Sequence, residues 1–163
     1  MATIVVEDGT GTNAAANSYA SEAELTTYAD DRGITLTAAT DVLLIKAMDY
    51  IESLSFIGTK YSKGQALQWP RSNVYIDGFY FVPTIIPPAL QTGQIATALA
   101  IDSENSPLAN VERATKREKV DVIEVEYANS AASQTIVRTI SAALYKILRP
   151  GGHGSSAFRV VRV

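Results

Sequence analysis

The sequence predicts a mainly α fold: a compact bundle of about four helices with a long structured loop, a β-ribbon and extended N- and C-terminal arms. Three observations predict it. Apolar residues recur at helical spacing in four stretches. Glycine and proline crowd residues 56–87 too closely for a long helix or a central strand. The glycine-rich runs DGTGTNAAANS and GGHGSS set both ends apart from a middle dense in apolar residues. Residues 1–18 are then an N-terminal arm, 19–149 the helical body with its loop at 56–87 and ribbon at 115–127, and 150–163 an extended C-terminal tail.

Ile4 to Val6 suits a short strand, and Gly9, Gly11 and Asn13 then supply positions tolerant of positive φ in the run Asp8 to Ser18. Ser21 with Glu24 three places on is a capping-box pattern, followed by Leu25, Tyr28 and Ala29 at helical spacing until Gly33. This predicts a helix over 22–32. Thr37 or Thr40 can cap the next one, over 38–54, where Leu44, Ala47, Met48, Ile51 and Leu54 form one stripe. In the loop, Val74 to Val82 suits a hairpin around Asp77-Gly78. Pro87-Pro88 opens a helix over 89–103, whose small residues Gly93, Ala96 and Ala100 permit close approach of a neighbour. The alternation in TKREKVDVIEVEYA, with a turn near Asp121, predicts the ribbon. Ile136, Ile140, Ala143, Leu144 and Ile147 share one face of a last helix over 135–148, ended by Pro150-Gly151.

The chain has 163 residues, the usual length of one domain. Only 19% of them are charged, below the usual share of about 25%, which suits a surface partly covered by partners. No cysteine is present, which excludes disulfides and thiolate metal sites. A net charge of −3 argues against a domain whose main task is gripping phosphates. No basic leader precedes an apolar run, and no stretch nears the roughly 18 apolar residues of a membrane span, so a soluble, unexported protein is expected.

The residue types of a reaction centre do not assemble. The one histidine, His153, lies in GGHGSS without a second ligand beside it, so neither enzyme activity, a cofactor nor a metal is expected. GTGTNAAANS lacks the Gly-Lys-Ser/Thr ending of a phosphate loop. Asp30-Asp31 and Asp102 with Glu104 read as solvated acids. Lys116, Arg117 and Lys119, near Tyr127, are candidates for nucleic-acid contact, but Glu118, Glu124 and Glu126 in the same ribbon favour cross-strand charge pairing. Arg159 and Arg162 have no acid near them and suit phosphate or an acidic partner better. Trp69 lies in a stretch that also holds Tyr61, Tyr75, Phe79, Tyr80 and Phe81; such density points to a loop folded on the body or to an intersubunit contact, ahead of base stacking.

Six phrases occur in order across nearly the whole chain: VEDGTGTNAAANSYAS, LLIKAMDYIESL, FIGTKYSKGQALQWPRSNV, PPAL, KREKVDVIEVEYA and FRVVRV. Together they resemble a phage family described as DnaT-like ssDNA-binding proteins, with QALQWPR from Gln65 to Arg71 the most specific phrase. Members are encoded among virion morphogenesis genes and are similar to head-to-tail adaptors. The resemblance implies a structural virion protein, not an enzyme, located at the head-tail interface and in host cytoplasm during assembly. It implies a ring, usually of twelve copies, that joins the portal protein to the tail and extends the DNA channel. Its implied partners are the portal, a tail or second adaptor, terminator or nozzle protein, and itself. DNA passes through without sequence-specific binding, and no membrane is involved. The alternative is a single-stranded DNA-binding protein of phage replication, as the family description says.

In the adaptor reading Phe158, Arg159, Val160, Val161, Arg162 and Val163 bind the portal or a neighbour by adding a strand to a sheet edge. Trp69 and Pro70 stiffen the loop against the helices, and Arg71 contacts a subunit boundary. The chain departs from its relatives in the ribbon, where Val120-Asp121-Val122-Ile123 stands in place of a Gly-Pro type turn.

Overall fold

The computed structural model describes residues 2–103, 118–120, 123–125 and 140–149. Helix α1 (Glu22–Asp30) starts as its sequence requires: the Ser21 hydroxyl accepts from the Glu24 amide at 3.2 Å, and the Glu24 carboxylate accepts from the Ser21 amide at 2.7 Å. Leu25 and Ala29 turn inward, and the helix stops before Gly33, whose φ is +63°. Helix α2 (Thr40–Ser53) buries Leu43, Leu44, Ala47, Met48 and Ile51.

Neither Thr37 nor Thr40 caps α2. The cap residue is Ala39, which has no side chain able to do so, and Thr40 is already inside the helix with its hydroxyl bonded to Glu22. The two residues before the cap are instead tied to another element. Asp102, at the end of α3 (Pro88–Asp102), accepts from the Thr37 amide at 3.0 Å, the Ala38 amide at 2.8 Å and the Thr37 hydroxyl at 2.7 Å. A carboxylate just before a helix N-terminus also meets the positive end of its dipole. Desolvation acts to raise the Asp102 pKa, but these hydrogen bonds outweigh it and hold the carboxyl below its usual value. A depressed folded pKa gives stability that is present above the unfolded value of about 3.9 and lost as pH falls through the folded one. Asp102→Asn is therefore expected to lower the urea midpoint at neutral pH, with the gap to the parent protein closing in strong acid.

Helix α3 packs on α2 and on the helical segment 140–144. Gly93 sets the second contact: a Cβ there would lie 2.4 Å from Leu144 Cδ2. The expected helix over 135–148 stops short in its described part. The chain turns at 145–147, where the Ile147 and Leu148 amides both return to the Leu144 carbonyl at 2.9 and 3.1 Å, and beyond the turn Ile57 N donates to Ile147 O at 3.0 Å and Arg149 N to Ser55 O at 2.9 Å. One apolar cluster joins Tyr19, Phe56, Trp69, Leu90, Ile140, Leu144 and Ile147; a second joins Leu25, Leu43, Leu44, Ile95 and Ala98.

Gln94 fastens the start of the body to this core. Its buried Oε1 accepts from the Tyr19 and Ala20 amides at 2.9 and 3.0 Å, and its Nε2 donates to Ser18 Oγ at 2.8 Å. Gln94→Leu would strand the buried Tyr19 amide and leave the Ala20 amide only its longer bond to Ser18 Oγ at 3.3 Å, so a loss of about 1–3 kcal/mol is expected in urea unfolding with an unchanged m-value.

The loop 56–87 carries two small antiparallel pairs. Strands β1 (Thr59–Lys60) and β2 (Arg71–Ser72) close its base. Strands β3 (Val74–Ile76) and β4 (Phe79–Phe81) form the hairpin, with Tyr75 opposite Tyr80. Asp77 and Gly78 take φ of +52° and +86°, the pair of positive values that a two-residue hairpin turn demands. In the ribbon, β5 (Glu118–Val120) pairs with β6 (Ile123–Val125), and the register puts position 119 opposite 124.

The N-terminal segment extends along its own chain. The strand expected at Ile4 to Val6 reduces to one bridge between Val6 and Ser18, because only the Glu7 and Asn17 amides find backbone partners there. Gly9, with φ of +85°, sits where a Cβ would fall 2.2 Å from the Thr84 carbonyl oxygen. Beside it Glu7 is buried and accepts from Gly9 N at 3.0 Å; burial raises its carboxyl above the usual range. The tail residues Phe158 to Val163, with Glu104, Lys116, Arg117 and His153, lie outside the described residues, as does the side chain of Lys119.

Candidate contact surface around the QALQWPR loop

Gln65 to Arg71 turns its polar side chains inward. Gln65 Oε1 accepts from the Ser62 amide at 2.8 Å, and its Nε2 donates to the carbonyls of Leu67 and Pro70 at 2.8 and 3.0 Å. Gln68 holds the loop to the last turn of α2: its amide donates to both carboxylate oxygens of Glu52, and its Nε2 donates to the Glu52 and Leu54 carbonyls at 2.8 Å each. The Trp69 amide donates to the Tyr19 hydroxyl at 3.1 Å, which in turn donates to Glu52 at 2.7 Å. Burial, reinforced by the Glu52 charge, pushes the Tyr19 phenol far up, so it serves as a neutral donor.

Trp69 is fully buried, standing edge-on to Phe56 and Phe81 with centroids 6.2 Å away in both cases. The peptide bond to the buried Pro70 is cis. Arg71 is 7% exposed and its guanidinium is spent within the chain. Nε donates to Ile57 O at 2.7 Å, Nη2 to Gly58 O at 2.9 Å and Phe56 O at 3.4 Å, and Nη1 to the backbone and side-chain oxygens of Gln68 at 3.2 Å. Five donors in a planar fork are what such a cluster of carbonyls requires.

The neighbouring hairpin does the opposite. Val74 and Phe81 face the core, while Tyr75 and Tyr80 point outward, ring edge to ring face at 5.7 Å and 62% and 54% exposed. Phe79, beside the turn, is 79% exposed. The tip is tied down: Lys146 Nζ lies 2.6 Å from Asp77 Oδ2, a pairing that raises the lysine pKa, and the exposed Tyr145 is its neighbour. Tyrosine and phenylalanine on a pinned hairpin give a large apolar contact area at little entropic cost. The sequence had grouped all these aromatics together; the structure divides them, Trp69 and Phe81 inside, Tyr75, Phe79 and Tyr80 outside.

Among the described residues no three His, Asp or Glu side chains gather to hold a metal, and no helix is long and apolar enough to cross a membrane. Fold and surface together define a small, mainly helical protein that presents an aromatic hairpin. The model of the family described as "Putative DnaT-like ssDNA binding protein" matches residues 2–163, and the chain belongs to that family. Searches of curated proteins and of solved structures found no match.

Proposed function

We propose that this protein works by binding rather than catalysis, as a structural virion subunit of the head-to-tail adaptor kind that joins portal to tail. The observation that carries this reading is the β3–β4 hairpin, which exposes Tyr75 and Tyr80 on one face and Phe79 at its tip, apolar surface of the sort that marks a protein interface. The resemblance of the chain's ordered phrases to phage morphogenesis proteins supports it, as does the inward use of the Gln65, Gln68 and Arg71 side chains.

A second reading, single-stranded DNA binding, has the direct support of the family's description, which mentions neither portals nor tails. The same rings would then be its stacking platform. Such sites also need free cations along the strand. The net charge of −3 counts against it, and the exposed Lys60 and Lys63 of the same loop are the described cations it would use.

Adaptors stay in the finished particle. Mass spectrometry of gradient-purified virions from the encoding phage is expected to find this chain, and sedimentation of purified protein with the portal ring to show comigration. Absence from virions would overturn the adaptor reading.

A further inference from the structure

Besides its protruding hairpin the chain carries a concave apolar site. A groove of about 540 Å³ opens between the end of α1, the end of α3 and the helical segment 140–144, lined by Tyr28, Arg32, Ile34, Leu99, Ala100 and Ile140 among others. A site of this size is in the range that takes two or three side chains or a small ligand, about 300–1,000 Å³. No residue of the hairpin lines it. Nor can the hairpin swing over to it, because Val74 and Phe81 are packed in the core and Asp77 is held by Lys146.

We infer that the groove receives the β3–β4 hairpin of a second copy of this chain. This rests on the assembly reading above and names its contact. The two surfaces match in chemistry. The groove is mostly apolar; besides Ser103 its charged member is the exposed Arg32, which lays its guanidinium 3.4 Å from the centroid of Tyr28 and donates to the Tyr28 carbonyl at 3.2 Å. A guanidinium already stacked on one ring is oriented to take a second ring on its other face. The hairpin offers Phe79 and Tyr80 for that position. It also brings an acid, since the Asp77 side chain is 61% exposed and keeps a second carboxylate oxygen beyond the one facing Lys146. Knob and groove are different patches of one chain, so the contact is heterologous: each copy gives its hairpin to one neighbour and its groove to the other. Repetition closes a ring or runs on as a filament.

The absence of cysteine makes the test direct. Phe79→Cys and Ile34→Cys are prepared as single variants, mixed and mildly oxidised, and disulfides are mapped by mass spectrometry. The expected product is the mixed 79–34 dimer, with neither variant linking to itself; the double variant should give a ladder of linked copies. A 79–79 link would show hairpins meeting each other and overturn the proposal. Absence of the mixed link in protein that light scattering shows to be oligomeric would overturn it too, leaving the assembly reading intact. A chain monomeric at every concentration, with no link, would overturn the groove contact, and the adaptor reading would still be decided by its presence in virions. As an independent arm, Phe79→Ser should weaken self-association about tenfold or more, as loss of an aromatic anchor does, with melting unchanged because the ring is exposed. Undiminished association in that variant would also count as refutation.

Discussion

Trp69→Ala is expected to destabilise the protein by about 3–5 kcal/mol, the range for truncating a fully buried large aromatic. The indole is 0% exposed and stands between Phe56 and Phe81, so its removal leaves a cavity and dissolves two edge-on ring contacts at once. The effect should spread to the hairpin, because Phe81 belongs to β4 and loses its seat. For a domain of this length each kcal/mol moves the melting temperature by about 2–4 °C, giving a fall of about 6–20 °C in circular dichroism melts. A melt within a degree or two of the parent would mean that the loop does not close on this residue.

Arg71→Met is expected to cost about 2–4 kcal/mol, with little recovered in Arg71→Lys. The guanidinium gathers the carbonyls of Phe56, Ile57, Gly58 and Gln68, and hydrogen bonds to a charged donor contribute about 1.5–3 kcal/mol each before water replaces some of them. A lysine ammonium is one point charge and cannot span the same set. Burial lowers the guanidinium's proton affinity, and the nearby Arg149 adds to this, while the Glu52 carboxylate works the other way; the group keeps its charge. Chemical denaturation at several protein concentrations separates two roles for it. A loss independent of concentration marks a bond within one chain, and a loss that shrinks as concentration rises marks a contact between subunits.

The helices were legible because their signals are local. The Ser21 and Glu24 capping box, the Leu44 to Ile51 stripe and the proline opening α3 each act within a few residues. The Asp77-Gly78 turn was legible for the same reason. What escaped depends on distant partners. The tie on the approach to α2 comes from Asp102, sixty-four residues beyond Ala38, and no pattern around Thr37 or Thr40 announces it. Gln94 looks like any exposed glutamine of an amphipathic helix until Tyr19 and Ala20 are placed against it. The groove at Arg32 needs α1, α3 and residue 140 in position before it exists. The aromatic cluster was visible as composition, but the facing of the rings needs the pairing register: Tyr75 opposite Tyr80 lies on the solvent face and Val74 opposite Phe81 on the Trp69 face, while Phe79, opposite Ile76 on that inner face, is exposed at the tip beside the turn.

The use of the hairpin can be decided by one titration: a fluorescent single-stranded oligonucleotide against the parent protein and a Tyr75→Ser, Phe79→Ser, Tyr80→Ser variant, followed by anisotropy at physiological salt. If the rings meet protein, neither form shows saturable binding. Saturable, salt-sensitive binding by the parent that disappears in the variant would make the hairpin a nucleic-acid platform and contradict the assembly reading.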